Sequence, residues 1–239
     1  MPRLAVTRLF ALAAAMALWA CLPARADDSA GTLQAEQVLS AFHTVVFIPE
    51  GAPSDGSLRA DGTVPLFRWT EEIRWGFDAP PGDPGDEAAL RRFADAAGRI
   101  AGLPTPYSTD PLEGGSRFFL APRDQMARLP FGGGRACVGS MGTLAEGPNI
   151  GAPLSIGIVD QALPTDHRRH CLAEHFAQSL GLSGASLIRM PLIRGGATPE
   201  LTPLGALLLK VLYDPRLRPG MTDAEAMPIV RAIIAEMDL

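Results

Sequence analysis

The apolar positions of this chain change period several times. From Leu33 to Phe47, Leu33, Val38, Leu39, Phe42, Val45 and Val46 recur near helical spacing, which predicts an N-terminal helix packed on the rest of the domain. A Gly-, Pro- and Ser-rich linker follows, Pro49 to Gly62. Ile73, Trp75 and Phe77 then alternate with Arg74 and Gly76, the period of a half-buried strand. After a loop from Pro80 to Gly85, Leu90, Phe93, Ala97 and Ile100 fall on one face of a helix that Asp86 can cap and that Gly102 and Pro104 end. Arg117 to Ala121 and Leu154 to Val159 read as strands, the second apolar enough to lie centrally in a sheet. Asp166 opens a helix over His167 to Leu180, closed near Gly181. Thr202-Pro203 opens a further helix that Asp214-Pro215 stops. Thr222-x-x-Glu225 reads as a capping box for a last helix, which Pro228 must kink or delay. Strands followed by helices in this order predict an α/β (α+β) fold, a mixed sheet packed on helices with an N-terminal helical segment.

The first 26 residues have a different character. Arg3 and Arg8 precede an apolar run, Leu9 to Leu22, and Ala24-Arg25-Ala26 forms an A-x-A cleavage site, the zones of a secretory signal. The run is too short to cross a bilayer as a helix, a span that takes about 20 residues. A competing reading acylates Cys21 as a lipoprotein anchor, although Trp19 is bulky where such a site wants a small residue. The expected division is therefore a signal over 1–26, the helix and linker over 27–66 and one globular domain over 67–239, in a periplasmic or secreted protein with no membrane span. Loss of Arg3, Arg8 and Arg25 would leave 18 basic against 26 acidic residues, a formal −8 instead of −5, which argues against a nucleic-acid partner.

Cleavage would also leave one even pair of cysteines, Cys137 and Cys171. In an oxidising compartment these are expected to form a disulfide, closing a loop that contributes about 3 to 4 kcal/mol in the chain-entropy treatment. Two buried thiols, or a metal-linked role for Cys171, are the alternatives.

Candidate chemistry concentrates in His167-Arg-Arg-His170-Cys171-Leu-Ala-Glu174-His175-Phe-Ala-Gln178-Ser-Leu-Gly181-Leu182. Helical geometry puts Cys171, Glu174 and Gln178 on one face, with His167 and His170 nearby and Leu172, Phe176 and Leu180 opposite. The pattern Cys171-x-x-Glu174-x-x-x-Gln178-x-x-Gly181-Leu182 comes with Phe42-His43-Thr44-Val45, Arg68-Trp69, Leu201-Thr202-Pro203 and Leu212-Tyr213-Asp214-Pro215-Arg216-Leu217-x-Pro-Gly-Met221. Together they resemble an exported bacterial family of unknown function with a metzincin-like peptidase core, over roughly residues 40 to 230. The resemblance implies a twisted mixed sheet with an active-site helix beneath it.

A metzincin zinc site requires H-E-x-x-H-x-x-G-x-x-H. Registered on Gly181, the first ligand position is Glu174, the base position His175, the second ligand Gln178 and the third Gly184. The family's usual pattern also carries a second carboxylate where this chain has His175. The histidine ligands are absent, so the resemblance implies a scaffold with no catalytic residue, bound metal or cofactor, and a candidate cleft formed by Glu174, His175 and Gln178. Its partner would be a polypeptide or an envelope protein. An atypical metal-dependent peptidase using Glu174 with His167, His170 or His175 is the alternative. A purely structural role is a third reading, in which Glu174 and Gln178 hydrogen-bond neighbouring backbone or arginines.

Other features carry less. Gly132-Gly133-Gly134 lacks the Lys-Ser/Thr of a phosphate loop and reads as a turn before Cys137. Ser140 and Ser155 have no histidine and acid at a spacing that assembles a triad, and Trp69 and Trp75 read as core. The processing reading is checked by intact mass of exported protein, which is expected to begin at Asp27; an acylated species beginning at Cys21 would overturn it.

Overall fold

The computed structural model describes residues 34–49, 62–110, 115–128, 135–143, 153–182 and 191–237. The signal segment, most of the Pro49 to Gly62 linker, Gly132 to Gly134 and Gly184 lie outside the described residues. Residues from Leu33 onward form one compact unit. The chain order is α1 (Ala35–Phe47), β1 (Trp75–Phe77), α2 (Pro84–Ala101), β2 (Gly115–Ala121), α3 (Arg123–Met126), β3 (Cys137–Thr143), β4 (Pro153–Asp160), α4 (Thr165–Ser179), β5 (Ile193–Arg194), β6 (Glu200–Leu201), α5 (Pro203–Leu212) and α6 (Asp223–Ala235). This is a mixed α/β fold.

The main sheet has the order β1-β2-β4-β3; β1, β2 and β4 run parallel and β3 runs antiparallel on the edge beside β4. β5 and β6 make a separate small antiparallel pair. The apolar run at residues 154–159 is thus central, as its composition predicts, with β2 on one side and β3 on the other. β1 is shorter than the alternation around Ile73 suggests, and Gly76 as well as Trp75 and Phe77 is buried. A Cβ on Gly76 would meet the Ser108 carbonyl and the Arg117 guanidinium, so that face is covered too.

Period-2 geometry and the register put one row of residues across the sheet: Phe77, Phe118, Gly157 and Gly139. Phe118 stacks on Phe176 of α4 with ring centroids 6.5 Å apart. Phe176 in turn meets Trp75 and Phe93 edge-on at 6.1 and 6.2 Å. The core therefore lies between the sheet and α2 and α4, aromatic at the β1 and β2 end and tapering to glycine at β4 and β3. Each fully buried side chain of this kind contributes roughly 1.5 to 3 kcal/mol by removal from water. Val38, Phe42, Val45 and Val46 of α1 are buried in the same core, with α1 packed on α5 and α6.

Helix ends show what local chemistry decides. Thr202 accepts from the Gly205 N–H and has Pro203 after it, and Thr222 and Glu225 form the capping box the sequence predicts. Pro228 lies within α6 without breaking it. The N-cap of α2 is Asp83 rather than Asp86, and α4 begins after Pro164 with no side-chain cap, not at Asp166.

Asp86 has a different task. Its side chain is fully buried and accepts from Arg168 Nε at 2.5 Å, Arg168 Nη2 at 3.2 Å and Arg169 Nε at 3.0 Å. Asp83 accepts from the same two arginines at 3.2 and 3.1 Å as well as from the Gly85 N–H at 2.8 Å. The Gly85 hydrogen bond first, with the two guanidinium charges, holds the Asp83 carboxyl below the usual carboxylate range. Arg168 also donates to the Leu163 carbonyl, and Arg169 to the Ala197 carbonyl. Two adjacent arginines on α4 are thereby locked to the first turn of α2.

Breaking a buried ion pair from one side leaves an uncompensated charge, which costs about 3 to 5 kcal/mol. Asp86→Ala is expected to lose stability on that scale in urea unfolding. Asp83→Ala, which removes a partly exposed cap, is expected to lose clearly less than Asp86→Ala. Equal losses would show that burial of Asp86 has no special weight.

Candidate functional site

α4 lies under the β4–β3 side of the sheet and turns Cys171, His175 and Gln178 toward β3. These are positions i, i+4 and i+7, one stripe of a helix. On the strand, Cys137 and Gly139 are i and i+2, one face of a strand. The two periods meet: Cys137 is joined to Cys171 by a disulfide with Cα atoms 6.0 Å apart, and Gly139 rests on His175 and Gln178. The expected disulfide is therefore present.

The helical face differs from the sequence expectation in one position. His175, not Glu174, shares the stripe with Cys171 and Gln178. His175 is 4% exposed, whereas Glu174 and Gln178 are half-buried. The α4 register explains this: Leu172, Phe176 and Leu180 enter the core, Arg168 and Arg169 are fixed on α2, and the remaining rotation carries residue 175 under the sheet.

Glycine makes room for that imidazole. Gly139 and Gly157 are register partners on β3 and β4. A Cβ at Gly139 would come 2.6 Å from Gln178 Oε1 and 2.7 Å from His175 Nδ1, and one at Gly157 would come 3.0 Å from His175 Cβ. The ring therefore fills space that side chains on both strands vacate. Its Nδ1 lies 2.8 Å from Gln178 Oε1, and its Nε2 is buried with no hydrogen-bond partner among the described residues. With the amide oxygen as acceptor, Nδ1 carries the proton and Nε2 is left as a lone pair.

The other histidines of α4 sit apart from this pair. His170 is half-buried against Gly195 of the β5–β6 turn, and burial first, then the charge of His167, lowers its pKa. His167 is exposed. Among the described residues no three His, Cys, Asp or Glu side chains converge in a way that could hold a metal ion. Ser155, named above as a weak nucleophile candidate, is buried inside β4. A depression of about 390 Å3 lined by Asp95, Arg99 and Thr105 lies at the far end of α2 and shares no residue with α4.

Several motif residues that single out this chain bind the framework together. Arg68 Nη1 donates to the carbonyls of Leu212, Asp214 and Leu217 at 3.0, 2.7 and 3.1 Å, and its guanidinium lies 4.8 Å over the Tyr213 ring. Trp69 Nε1 donates to the Ser179 carbonyl at 2.6 Å, and the Tyr213 hydroxyl donates to the Leu180 carbonyl at 3.0 Å. Burial holds the Tyr213 phenol far above its ordinary range. Gly181, at φ +100°, ends α4 where a Cβ would collide with the Phe67 carbonyl. Sequence reading places Arg68, Trp69 and Tyr213 in a motif but gives no signal for these contacts, which join segments from 33 to 149 residues apart.

Burial lowers the pKa of His175, a shift opposed by the Gln178 hydrogen bond. The folded state then binds its proton less readily than the unfolded chain, whose histidines titrate near 6.5. Stability from this group is fully present above about pH 6.5 and is lost as pH falls toward the folded pKa, by at most about 1.4 kcal/mol per pH unit. His170 acts with the same sign. Urea unfolding between pH 7 and 5 is expected to show a shallower loss in His175→Gln than in the unsubstituted protein; identical slopes would show that residue 175 does not titrate with folding.

No helix among the described residues is long and apolar enough to cross a membrane. No curated protein and no solved structure matches the chain. One family does match: its model covers residues 35–232, from the start of α1 to near the end of α6, and on that extent the chain belongs to DUF2927, a family of proteins of unknown function.

Proposed function

We propose that this is an exported, non-catalytic binding domain with a metzincin-like arrangement, which takes an extended polypeptide segment along the outer edge of β3. The observation that carries the reading is the position of β3, the antiparallel edge of the sheet, directly over the polar stripe of α4. An edge strand offers backbone N–H and C=O groups to an incoming strand, and a floor of side chains beside it supplies selectivity. Gln178, half-buried and next to Gly139, lies where such a floor is needed, and Glu174 is one turn before it. The Gly139 position adds to this, since a side chain there would displace Gln178 and His175.

Two further features favour binding over hydrolysis. His175 stands at the position where a metzincin has its general base, yet it is 4% exposed under the sheet with Nδ1 engaged by Gln178. A base must reach the water it deprotonates. The positions of two of the three zinc ligands hold Glu174 and Gln178, and an amide is a poor zinc ligand.

Mature protein should be mixed with a reduced, S-carboxamidomethylated polypeptide as an unfolded probe, and amide exchange and probe integrity followed together. Slower exchange in β3 with an intact probe is expected. Probe cleavage that stops with a chelator and with Glu174→Ala would establish the peptidase alternative. Unchanged exchange in β3 at saturating probe would remove the edge-strand reading.

A further inference from the structure

β3 is weakly anchored for a strand of seven residues. Of the side chains described in it, Val138 is the buried apolar one, Gly139 has none, and Cys137 and Met141 are half-buried. Its ladder to β4 is one-sided among the described residues. Among the described residues two attachments tie it to α4, both on the same strand face: the bond from Cys137 to Cys171, and the seat of Gly139 on His175 and Gln178. α4 itself is fixed independently, through Arg168 and Arg169 to Asp86 and Asp83 and through Leu172 and Phe176 to the core. Severing the bond between strand and helix would therefore loosen the strand and leave the helix in place.

The two cysteines are unequally buried. Cys171 is 6% exposed on the inner face of α4, while Cys137, the first residue of an edge strand, is half-buried. A thiolate approaches a disulfide along the S–S axis and attacks the sulfur it can reach. We infer that Cys137–Cys171 is a site of thiol–disulfide exchange with a dithiol reductant, attacked at Cys137, and that its reduction releases β3 from α4 and so alters the edge assigned above to polypeptide binding.

The exchange balances in two steps. One thiolate of the dithiol bonds to the Cys137 sulfur as the Cys137–Cys171 bond breaks, and Cys171 leaves as a thiolate that takes up a proton. The second thiol of the reductant then displaces Cys137, so the dithiol is oxidised to a disulfide and both cysteines become thiols. The consequence is local, because elements differ in their opening free energies and a sparsely packed edge lies at the low end.

The inference rests on the binding reading only for its consequence, and its test needs no polypeptide ligand. Amide exchange is compared between oxidised protein, protein reduced with dithiothreitol, and the Cys137→Ser/Cys171→Ser variant. Exchange at least tenfold faster across residues 137–143, with α2, β2 and α4 changed less than twofold, is expected in both reduced forms. A limiting monothiol trapped by peptide mapping should be found on Cys137. Unchanged exchange in β3 would overturn the inference. So would acceleration throughout the domain, or failure of the double variant to fold, since the bond would then be a global staple; an adduct on Cys171 would overturn the assigned point of attack. The unfolded-probe experiment on oxidised protein stands or falls separately, so loss of one result does not decide the other.

Discussion

The placement of α4 depends on one buried carboxylate. Asp86, fully enclosed in the first turn of α2, receives hydrogen bonds from the side chains of two consecutive residues of α4, Arg168 and Arg169. Consecutive helical residues point about 100° apart, so a carboxylate gripped by both leaves the helix no freedom to roll. Net stability is a poor measure of such a pair, because desolvation offsets most of the attraction. Geometry is the better measure. With the roll of α4 fixed, Phe176 falls under Phe118 and His175 falls under Gly157 and Gly139, and the composition of the sheet row matches what lies below it.

The resemblance motifs gain a physical meaning from the same framework. Arg68 gathers three carbonyls around the end of α5, Trp69 and Tyr213 bond the last carbonyls of α4, and Gly181 lets the chain pass Phe67. Carbonyls at helix C-termini have no partner within their own helix, and a buried terminus must find one elsewhere. These residues supply it. A signature built largely from such contacts specifies how α4, α5 and the segment around Arg68 lock together.

The sequence was legible where a local rule was sufficient. Thr202-Pro203, Thr222 with Glu225, and the apolar faces of α1 and α2 are each decided within a few residues, and each stands where the pattern puts it. Misreadings arise where a distant partner decides. Asp86 has the composition of a cap, yet Arg168 and Arg169, more than 80 residues away, recruit it to the interior. Nothing in the sequence marks β3 as a strand, because Gly139, Ser140 and Gly142 give no alternation of polar and apolar residues; its strand form comes from pairing with β4. The disulfide is readable from cysteine number, whereas helical spacing alone puts Glu174 on the Cys171 face in the place that His175 occupies.

That exchange of positions bears on any chemistry proposed for the helix. A carboxylate in the slot under Gly139 and Gly157 would be a desolvated charge, with Gln178 as the neighbour within hydrogen-bond reach that the imidazole uses. Neutral imidazole can occupy the slot at the cost of one unfilled lone pair, and its proton serves to orient Gln178. A hydrolytic site would need this residue turned out to solvent. Turning it out means rolling α4, which Asp86 resists through both arginines, or filling the space left beneath two glycines that have no side chains to offer. Residue 175 is thus held in its inward position by contacts on both sides of the helix, while Glu174 and Gln178 form its half-buried rim.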